Sequence, residues 1–473
     1  DCSNYNKCGG CNLRHIEYNY TLKIKKAIVE NCLYKALKRK VEVNDVIGME
    51  NPLFYRNKLQ YPVGLDKENN PVMGVYSSRT HNIVPVSKCY IQNETCNQIA
   101  NDIFKFIKDK NISVYNEKNL KGTVRHIIVR IGVKTNEVLV TIVVNDNNFK
   151  KEEELVEYIT NKHSNIKTIV KNYNDKNTNV ILGDKNEVIY GSGYIYDLLG
   201  DYKFKISPLS FYQVNPVQTE ILYNTAINNA GSKPKDIALD LYCGIGTIGI
   251  FASKNFKKVY GIEIIKQAIE DAKENAKINN INNIEFYAGD VEEILPQIVE
   301  KIEDKPNVVF VDPPRKGLDK NTIETILNLE PEKVIYISCN PATLARDVAL
   351  FKYMLDTAWA YNDDVSVDEK NLIEALRKYL NISTMEQHIL EAKAGRFPET
   401  GNSLHALEDI DNARKALQSK GLLMSIKDSD GNMCDLVPSD IAKGIRAYYG
   451  IEIRSYGYEK LVDYVIKKTK KQY

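Results

Sequence analysis

The sequence lacks the features that would place the protein in a membrane or mark it for export. It has no run of about 18 apolar residues and no apolar core of a signal peptide near its start, so we expect a cytoplasmic protein without a membrane partner. The formal net charge is only +2, and there are no repeats or low-complexity tracts. Any nucleic-acid contact must therefore come from a local basic patch.

Disulfide bonds are also not expected. The nine cysteines are an odd number in a long chain of 473 residues that has no export signal. Cysteines in such a chain more often ligate metals or take part in catalysis.

The chain is too long for one hydrophobic core, and changes in composition and hydrophobic pattern along it predict four regions. Residues 1–45 form a Cys-rich segment followed by an amphipathic helix at about 16–40. Residues 46–205 are a β-rich central domain of mostly antiparallel strands, residues 206–355 are an α/β domain, and residues 356–473 are a mainly helical region of unknown function.

The α/β prediction rests on strands that alternate with helices along the third region. Apolar strands such as IALDLYC, VYGIEI, VVFVDPP and VIYISC are each followed by a helical pattern. This alternation predicts a parallel, doubly wound sheet, whose ligands bind beyond the carboxyl ends of the strands.

In the last region, capping boxes predict helices at 366 (SVDE) and 383 (STME). The segment DSDGN at 428–432 predicts a turn, and LVPSDIAKGIRAYYG at 436–450 predicts another helix.

A cofactor loop is predicted in LDLYCGIGTIGIF, where Gly244 and Gly246 lie between a strand and a helix. Glycines allow a ligand to approach the backbone, and Glu263 at the end of the next strand can bind ribose hydroxyls. A purely structural turn is the alternative. Since the loop is not G-x-G-x-x-G and Asp240 precedes it, S-adenosylmethionine (SAM) is favoured over NAD as the ligand.

Two further strands end in residues with possible chemistry. Asp312 is followed by two prolines and Arg315, which either stops a strand or forms part of a substrate site. The arginine argues against methylation of exocyclic amino groups, for which an aromatic residue is expected at that position.

Cys339 follows the strand VIYIS and precedes Asn340-Pro341. A packed, inert thiol is one reading. The helix predicted directly behind it favours a thiolate, which can add to an electron-poor pyrimidine ring. All six histidines are distant in the sequence, so a Cys-His protease has no local support.

Cys2, Cys8 and Cys11 lie close together on a glycine-containing loop, and Cys89 follows later. Four thiolates suit an iron–sulfur cluster or a structural zinc ion, and spacing alone favours neither. Cys32 falls within the predicted helix and is interpreted as packed.

Together these motifs resemble the bacterial RNA (uracil-5-)-methyltransferases, in particular the iron–sulfur branch that acts on 23S rRNA. The resemblance covers about residues 1–350, and its most specific motif is the last of the following: CGGCNLRHIEY, YRNKLQYPV, THNIVPVSKC, TVRHIIVR, SPLSFYQVN, LDLYCGIGT, VDPPRKG and ISCNPATLARD.

This resemblance implies a class I (Rossmann-like) SAM methyltransferase domain, a [4Fe-4S] cluster and an RNA substrate, most specifically 23S rRNA, for a protein that acts as a monomer. It implies that Cys339 is the nucleophile that adds to carbon 6 of uracil. The residues implied to hold the cluster are Cys2, Cys8, Cys11 and Cys89, and those implied to contact SAM are Gln213, Tyr242, Thr247, Glu263, Asp290 and Asp312.

The chain departs from the family after about residue 350. The family carries a His-hydrophobic-Glu motif there, whose glutamate removes the carbon-5 proton, and this motif is not found; Glu374 falls on a predicted helix. We therefore expect one methylation followed by a stalled protein–RNA adduct. The alternatives are a non-catalytic iron–sulfur RNA-binding protein and a tRNA methyltransferase, which is disfavoured because related tRNA enzymes lack the cysteine cluster.

Overall fold

The structure is a computed structural model that describes residues 2–78, 80–146, 149–300 and 305–360, together with three short strands between residues 424 and 456. The chain divides into two compact units, Asp1–Phe351 and Lys352–Tyr473. The boundaries of the four predicted regions remain predictions.

The first unit begins with the cysteine segment and helix α1 (Tyr18–Leu37). The Glu17 carboxylate accepts hydrogen bonds from the backbone N–H groups of Asn19 and Tyr20 and so caps the helix. Lys38 adopts a left-handed conformation with φ of 55° and ends it. A helix is therefore present where one was expected at 16–40, with slightly shorter bounds, but Thr21 is its one buried residue, so the expected apolar face is not buried.

A seven-stranded sheet follows, with the order β3-β2-β1-β4-β5-β6-β7. Its strands are β1 (Lys58–Leu65), β2 (Pro71–Tyr76), β3 (Ile83–Pro85), β4 (Val124–Ile131), β5 (Val138–Val144), β6 (Ile166–Tyr173) and β7 (Lys185–Gly191). All neighbouring pairs are antiparallel except β5 and β6, in line with the mostly antiparallel sheet expected.

Two helices pack on this sheet, α2 (Glu94–Asp109) and α3 (Glu152–Lys162). Every residue of β4 and β5 is buried; β5 is an apolar run apart from Thr141, whereas β4 also buries Arg125, His126 and Arg130. Ile99, Ile103 and Ile107 follow a helical period and place one face of α2 in the same core. A hairpin of β8 (Ile195–Leu199) and β9 (Tyr202–Ile206) comes next along the chain.

A five-stranded sheet, parallel throughout, forms the rest of the unit. Its strands are β10 (Ile237–Leu241), β11 (Lys258–Glu263), β12 (Ile284–Ala288), β13 (Val308–Val311) and β14 (Lys333–Tyr336). The connecting helices are α4 (Pro216–Ala230), α5 (Thr247–Ala252), α6 (Lys266–Ile278), α7 (Val291–Val299), α8 (Lys320–Asn328) and α9 (Pro341–Ala360).

The strand order β12-β11-β10-β13-β14 confirms the doubly wound α/β prediction. The chain moves outward from β10 to β12 and then returns to the other side of β10 for β13. This reversal creates a crevice between β10 and β13 at the carboxyl ends of the strands, which is where open α/β sheets bind ligands.

The described strands of the second unit are β15 (Met424–Lys427), β16 (Met433–Pro438) and β17 (Arg454–Tyr456), in the order β15-β16-β17. The helix predicted from residue 436 is wrong at its start, because residues 436–438 belong to β16. Leu436 pairs with Met424 on one side and Arg454 on the other, and this pairing outweighs the local helical pattern.

Several predictions for this region concern residues outside those described. They are the capping boxes at 366 and 383, the turn at 428–432 and the helical position of Glu374. In the described part of the chain, no helix combines the length and apolar character needed to cross a bilayer.

Candidate functional site

The predicted site residues converge on one edge of the parallel sheet. Leu241, near the end of β10, pairs with Val311 of β13, and Val311 pairs with Tyr336 of β14. Glu263 ends β11 on the other side of β10, and Asp312 directly follows Val311. The carboxyl ends of four neighbouring strands therefore carry the two predicted acids and lead to the predicted nucleophile.

The glycine loop after β10 leaves its backbone accessible. Tyr242, Gly244 and Gly246 all have positive φ, at 65°, 56° and 80°. A Cβ placed on Gly244 would have no heavy atom within 4 Å. The loop thus bends sharply at the mouth of the crevice and offers open space into which a ligand can fit.

Glu263 holds this loop in place. One of its carboxylate oxygens accepts a hydrogen bond from the Gly244 N–H at 3.2 Å, and the other accepts from the Ile265 N–H at 3.0 Å. The side chain is half-buried. A fixed, partly accessible carboxylate beside an open glycine loop is suited to binding ribose hydroxyls.

Asp240 is a buried acid that the sequence analysis did not place in the site. Its Oδ2 accepts a hydrogen bond from the Gly249 N–H at 2.7 Å, whereas its Oδ1 is buried without a partner in the protein. Burial, together with the nearby carboxylates of Asp312 and Glu263, raises its pKa to about 8. An acid within an otherwise apolar strand was the only signal for it.

Asp312 follows β13 directly, as the sequence predicts. Its backbone N–H donates to the Leu241 carbonyl at 3.4 Å, so it borders the crevice between β10 and β13. Burial raises the pKa of its carboxyl from 3.8 to about 6. This acid therefore changes its charge just below neutral pH.

Three other predicted SAM contacts lie around the crevice. Thr247 begins α5 and shares a hydrogen bond of 3.1 Å between its hydroxyl and that of the buried Tyr223. Burial raises the pKa of Tyr242 to about 12. The backbone carbonyl of Gln213 accepts from the side chain of Asn57 at 3.0 Å, which fixes the preceding loop against the seven-stranded sheet.

Asp290 lies at the carboxyl side of β12, on the outer edge of the sheet. It caps α7, because its Oδ1 accepts a hydrogen bond from the Glu292 N–H at 2.9 Å. The residue is exposed. Helix capping accounts for one of its oxygens, and the other is available to a ligand.

Cys339 differs from the sequence expectation in one respect. The strand ends at Tyr336, so the thiol does not lie on the strand but in the turn that follows it. The Ser338 hydroxyl donates to the Asn340 carbonyl at 3.0 Å and accepts from the Asn340 N–H at 3.1 Å, which closes the turn. The Asn340 side chain then accepts from the Ala342 N–H at 3.1 Å as α9 begins. Cys339 is exposed directly in front of this helix.

Two basic side chains that no sequence pattern marked as part of a site lie opposite each other on β1 and β4. Lys58 of β1 pairs with Arg130 of β4, and burial, with the charges of Arg130 and Arg56, lowers the pKa of Lys58 to about 8. The Arg130 guanidinium donates to the Ser210 carbonyl at 2.9 Å, one residue before the exposed Phe211. The alternation of apolar and basic residues in the strands gave no signal for this pairing.

The four cysteines predicted to hold a metal lie around a common cavity. Cys2, Cys8, Cys11 and Cys89 line a cavity of about 200 Å³ whose wall also includes Tyr61. Burial raises the pKa of Cys8 and Cys11, and the neighbouring thiols add to the effect. Across the described residues, however, no three His, Cys, Asp or Glu side chains converge as metal ligands.

Solved structures define the class of protein. The chain is similar to Pyrococcus abyssi tRNA (uracil-54, C5)-methyltransferase, whose crystal structure contains S-adenosyl-L-homocysteine, with a TM-score of 0.60 and 28% identity over 72% of this chain and 79% of that one. The fold with its crevice is thus that of a SAM-dependent methyltransferase.

Sequence comparisons define the family. A family model described as tRNA (uracil-5-)-methyltransferase matches residues 17–355. Uncharacterized RNA methyltransferases of Clostridium acetobutylicum and Clostridium tetani are 47% and 44% identical, each over 74% of this chain and 76% of the relative. The chain belongs to the tRNA (uracil-5-)-methyltransferase family and is a SAM-dependent RNA (uracil-5-)-methyltransferase.

Proposed function

We propose that SAM binds in the crevice between β10 and β13 and that Cys339 forms a covalent adduct with the target uracil. The observation that carries this proposal is the common sheet edge. Glu263, the open Gly244 loop, Asp312 and the turn that carries Cys339 lie there at the ends of four successive strands of the sheet.

The side chains around the crevice suit the chemical groups of SAM. Glu263 can accept hydrogen bonds from the ribose hydroxyls, and the carboxylate of Asp312, which forms above a pH of about 6, suits the positive charge of the ligand. Gln213, Tyr242, Thr247 and Asp290 are the other proposed contacts around the adenosine and methionine portions. When bound, SAM supplies the methyl group.

The residues of the chain provide the covalent chemistry. The Cys339 sulfur adds to carbon 6 of uracil, and the electron pair of the carbon 5–carbon 6 bond moves onto the carbonyl oxygen at carbon 4. Carbon 5 then forms its bond to the methyl group, while the bond of that methyl group to the sulfonium sulfur of SAM would break and S-adenosylhomocysteine would leave. Removal of the carbon-5 proton by a base returns the electron pair and breaks the sulfur–carbon 6 bond.

An exposed thiol suits a macromolecular substrate. Cys339 is open to solvent, and Phe211, 68% exposed, lies on the loop that also carries Gln213. An exposed aromatic ring is a surface on which an unstacked base can stack. We therefore propose that the target uridine is presented unpaired to this edge.

The substrate we propose is 23S rRNA in the cytoplasm. The cysteine segment supports this choice, since the resemblance in that segment is to the ribosomal branch. A tRNA substrate is the second candidate, because the solved relative from P. abyssi acts on uracil 54 of tRNA. We expect labelled SAM to transfer its methyl group to a 23S rRNA transcript. Transfer to tRNA transcripts alone would reverse the assignment.

We also propose that Cys2, Cys8, Cys11 and Cys89 hold a [4Fe-4S] cluster. All four cysteines line one cavity, and thiolates are the ligands that such clusters require. Protein purified without oxygen should be brown and contain about four irons per chain. Colourless protein with one zinc per chain would identify a structural zinc site instead.

The release step needs its own experiment, because the family's glutamate motif is not found in the sequence. With natural RNA and SAM, we expect the enzyme to methylate once and remain attached to its product. Multiple turnovers would show that another residue acts as the base, and Glu374→Gln would then be the first variant to test.

A further inference from the structure

The loops that follow β13 and β14 are fastened together by the first turns of α9. The loop after Asp312 runs from 313 to 318 and has the sequence PPRKGL. The carbonyl of Arg315 in this loop accepts hydrogen bonds from the Asn340 side chain at 3.4 Å and from the Thr343 hydroxyl at 3.3 Å. Asn340 is also the neighbour of Cys339.

Arg346 makes the second set of contacts to the same loop. Its Nη2 donates to the carbonyls of Lys316 at 2.8 Å and Leu318 at 3.1 Å. Its Nε donates to Asp347 Oδ1 at 2.8 Å, and Nη2 lies 2.7 Å from the same oxygen. The guanidinium is therefore fixed on both sides, by the loop and by its neighbour in the helix.

Asp347 completes the connection from inside the protein. It is fully buried, and its Oδ2 accepts hydrogen bonds from the Leu318 N–H at 2.8 Å and the Tyr336 hydroxyl at 2.7 Å. Burial and this hydrogen bond raise the pKa of Tyr336, so the phenol remains a donor. One carboxylate thus joins the 313–318 loop, the last residue of β14 and α9.

Gly317 gives independent evidence that the 313–318 loop is held close to α9. It has φ of +78°, and a Cβ at this position would lie 2.7 Å from Arg346 Nη2 and would clash with the Asp347 carboxylate. A side chain here would therefore separate the loop from the helix. The close approach of the two is built into the sequence of the loop.

We propose that Arg346 and Asp347 are positioning residues that hold Cys339 at a fixed place relative to Asp312. The inference rests on the proposed role of Cys339. Asp312 opens the loop that Arg346 binds, and Cys339 lies two residues before the helix that carries Arg346. An exposed thiol in a turn would otherwise move, and attack on a ring carbon needs the reacting atoms within a fraction of an ångström of the reactive arrangement.

Adduct formation with RNA that carries 5-fluorouridine at the target tests this role. Fluorine at carbon 5 cannot be removed as a proton, so the adduct accumulates whether or not the enzyme has a base. We expect Arg346→Gln to slow adduct formation by about 10²-fold, while SAM affinity stays within about twofold. Arg346→Lys, which keeps one donor and the charge, should recover part of the rate.

Two further variants separate positioning from general loss of structure. Gly317→Ala should slow the adduct in the same way by pushing the loop from the other side. Lys320→Gln breaks an exposed ion pair with Glu324 on the next helix and should leave the rate unchanged. The decisive comparison is the adduct rate relative to SAM affinity, since a misfolded variant loses both together.

Each outcome has a distinct meaning. If wild type forms the adduct and folded Arg346→Gln forms it at the same rate, the positioning role is overturned and the proposed function stands. The same holds if the variant loses SAM affinity in proportion to rate. A wild-type protein that forms no adduct overturns the proposed function, and the positioning role with it.

Discussion

The two halves of the parallel sheet edge are built differently. On the β10–β11 side, Asp240 is fully buried and Glu263 is half-buried and fastened to backbone N–H groups. On the β13–β14 side, Cys339 is exposed in a turn beyond the end of its strand. Between them, Asp312 combines partial burial with a pKa raised to about 6.

This difference matches the size of the two proposed ligands. A small molecule such as SAM can be enclosed, and acids that are held in place in the crevice bind it with little reorganisation. An RNA cannot enter such a crevice, so the group that reacts with it must be accessible. The exposed half needs another way to keep its geometry, which the contacts of Arg346 and Asp347 provide.

The largest expected effect belongs to the exposed half. Cys339→Ala should reduce methyl transfer to RNA to background, because no other group adds to carbon 6, while SAM affinity measured by calorimetry stays unchanged. Cys96→Ala is a matched control, since that thiol is fully buried in the core of the seven-stranded sheet. Retained methylation in Cys339→Ala would remove the functional distinction between the halves.

The next effect concerns the enclosed half. Glu263→Ala should weaken SAM binding by about 1 to 3 kcal/mol, as expected for the loss of hydrogen bonds to a charged group. Glu285→Ala, on the neighbouring strand, removes the ion pair with Lys258 and the hydrogen bond from the Tyr287 hydroxyl, and should leave the affinity as it is. Equal affinities in calorimetry for Glu263→Ala and wild type would contradict the assignment of the ribose site.

Asp312 should give the site a pH dependence. Its folded pKa of about 6 means that the carboxylate forms as the pH rises through 6, and SAM affinity should increase over that range because the ligand is cationic. In the absence of ligand the sign is opposite: the buried carboxyl contributes stability at pH values below 3.8 that is lost as the pH rises through about 6.

This effect would be measured by determining the SAM affinity from pH 5 to pH 7 at intervals of about half a pH unit. The increase should disappear in Asp312→Asn, whose side chain does not titrate. If the SAM affinity of Asp312→Asn rises with pH as it does in wild type, a group other than Asp312 is responsible for the pH dependence.

The smallest effect is expected at the hydroxyl of Tyr223. Tyr223→Phe removes its hydrogen bond to Thr247 at the start of α5 and should change SAM affinity by about 1 kcal/mol or less. Thr247→Val, which also removes the proposed contact with SAM, should weaken binding more than Tyr223→Phe does by calorimetry. Equal losses in the two variants would mean that Thr247 acts only through Tyr223 and does not contact the ligand.

Much of the enclosed half could be predicted from the sequence. The alternation of strands and helices, the glycines of the loop and the acid Glu263 are local patterns, and the parallel sheet then brings strand ends together. The order of the strands makes Asp312 a neighbour of the loop after β10, which no short pattern shows directly. The burial of Asp240 likewise depends on packing from both faces of the sheet.

The exposed half was less predictable, because its geometry depends on contacts between distant segments. The motif ISCNPATLARD marks the nucleophile, but nothing local shows that Arg346 and Asp347 bind the loop after β13. The strand was also expected to reach Cys339, whereas side-chain hydrogen bonds of Ser338 close a turn before it. In the second unit, strand pairing at 436–438 replaced the local helical pattern.

The most direct test of the covalent proposal uses a 23S rRNA fragment with 5-fluorouridine in place of uridine. Incubation with SAM should give a protein–RNA complex that survives denaturing gel electrophoresis in wild type and is absent in Cys339→Ala. Mass spectrometry should place the added mass on the peptide that contains Cys339. Wild-type protein that binds SAM and methylates natural RNA, yet forms no such complex, would contradict the account.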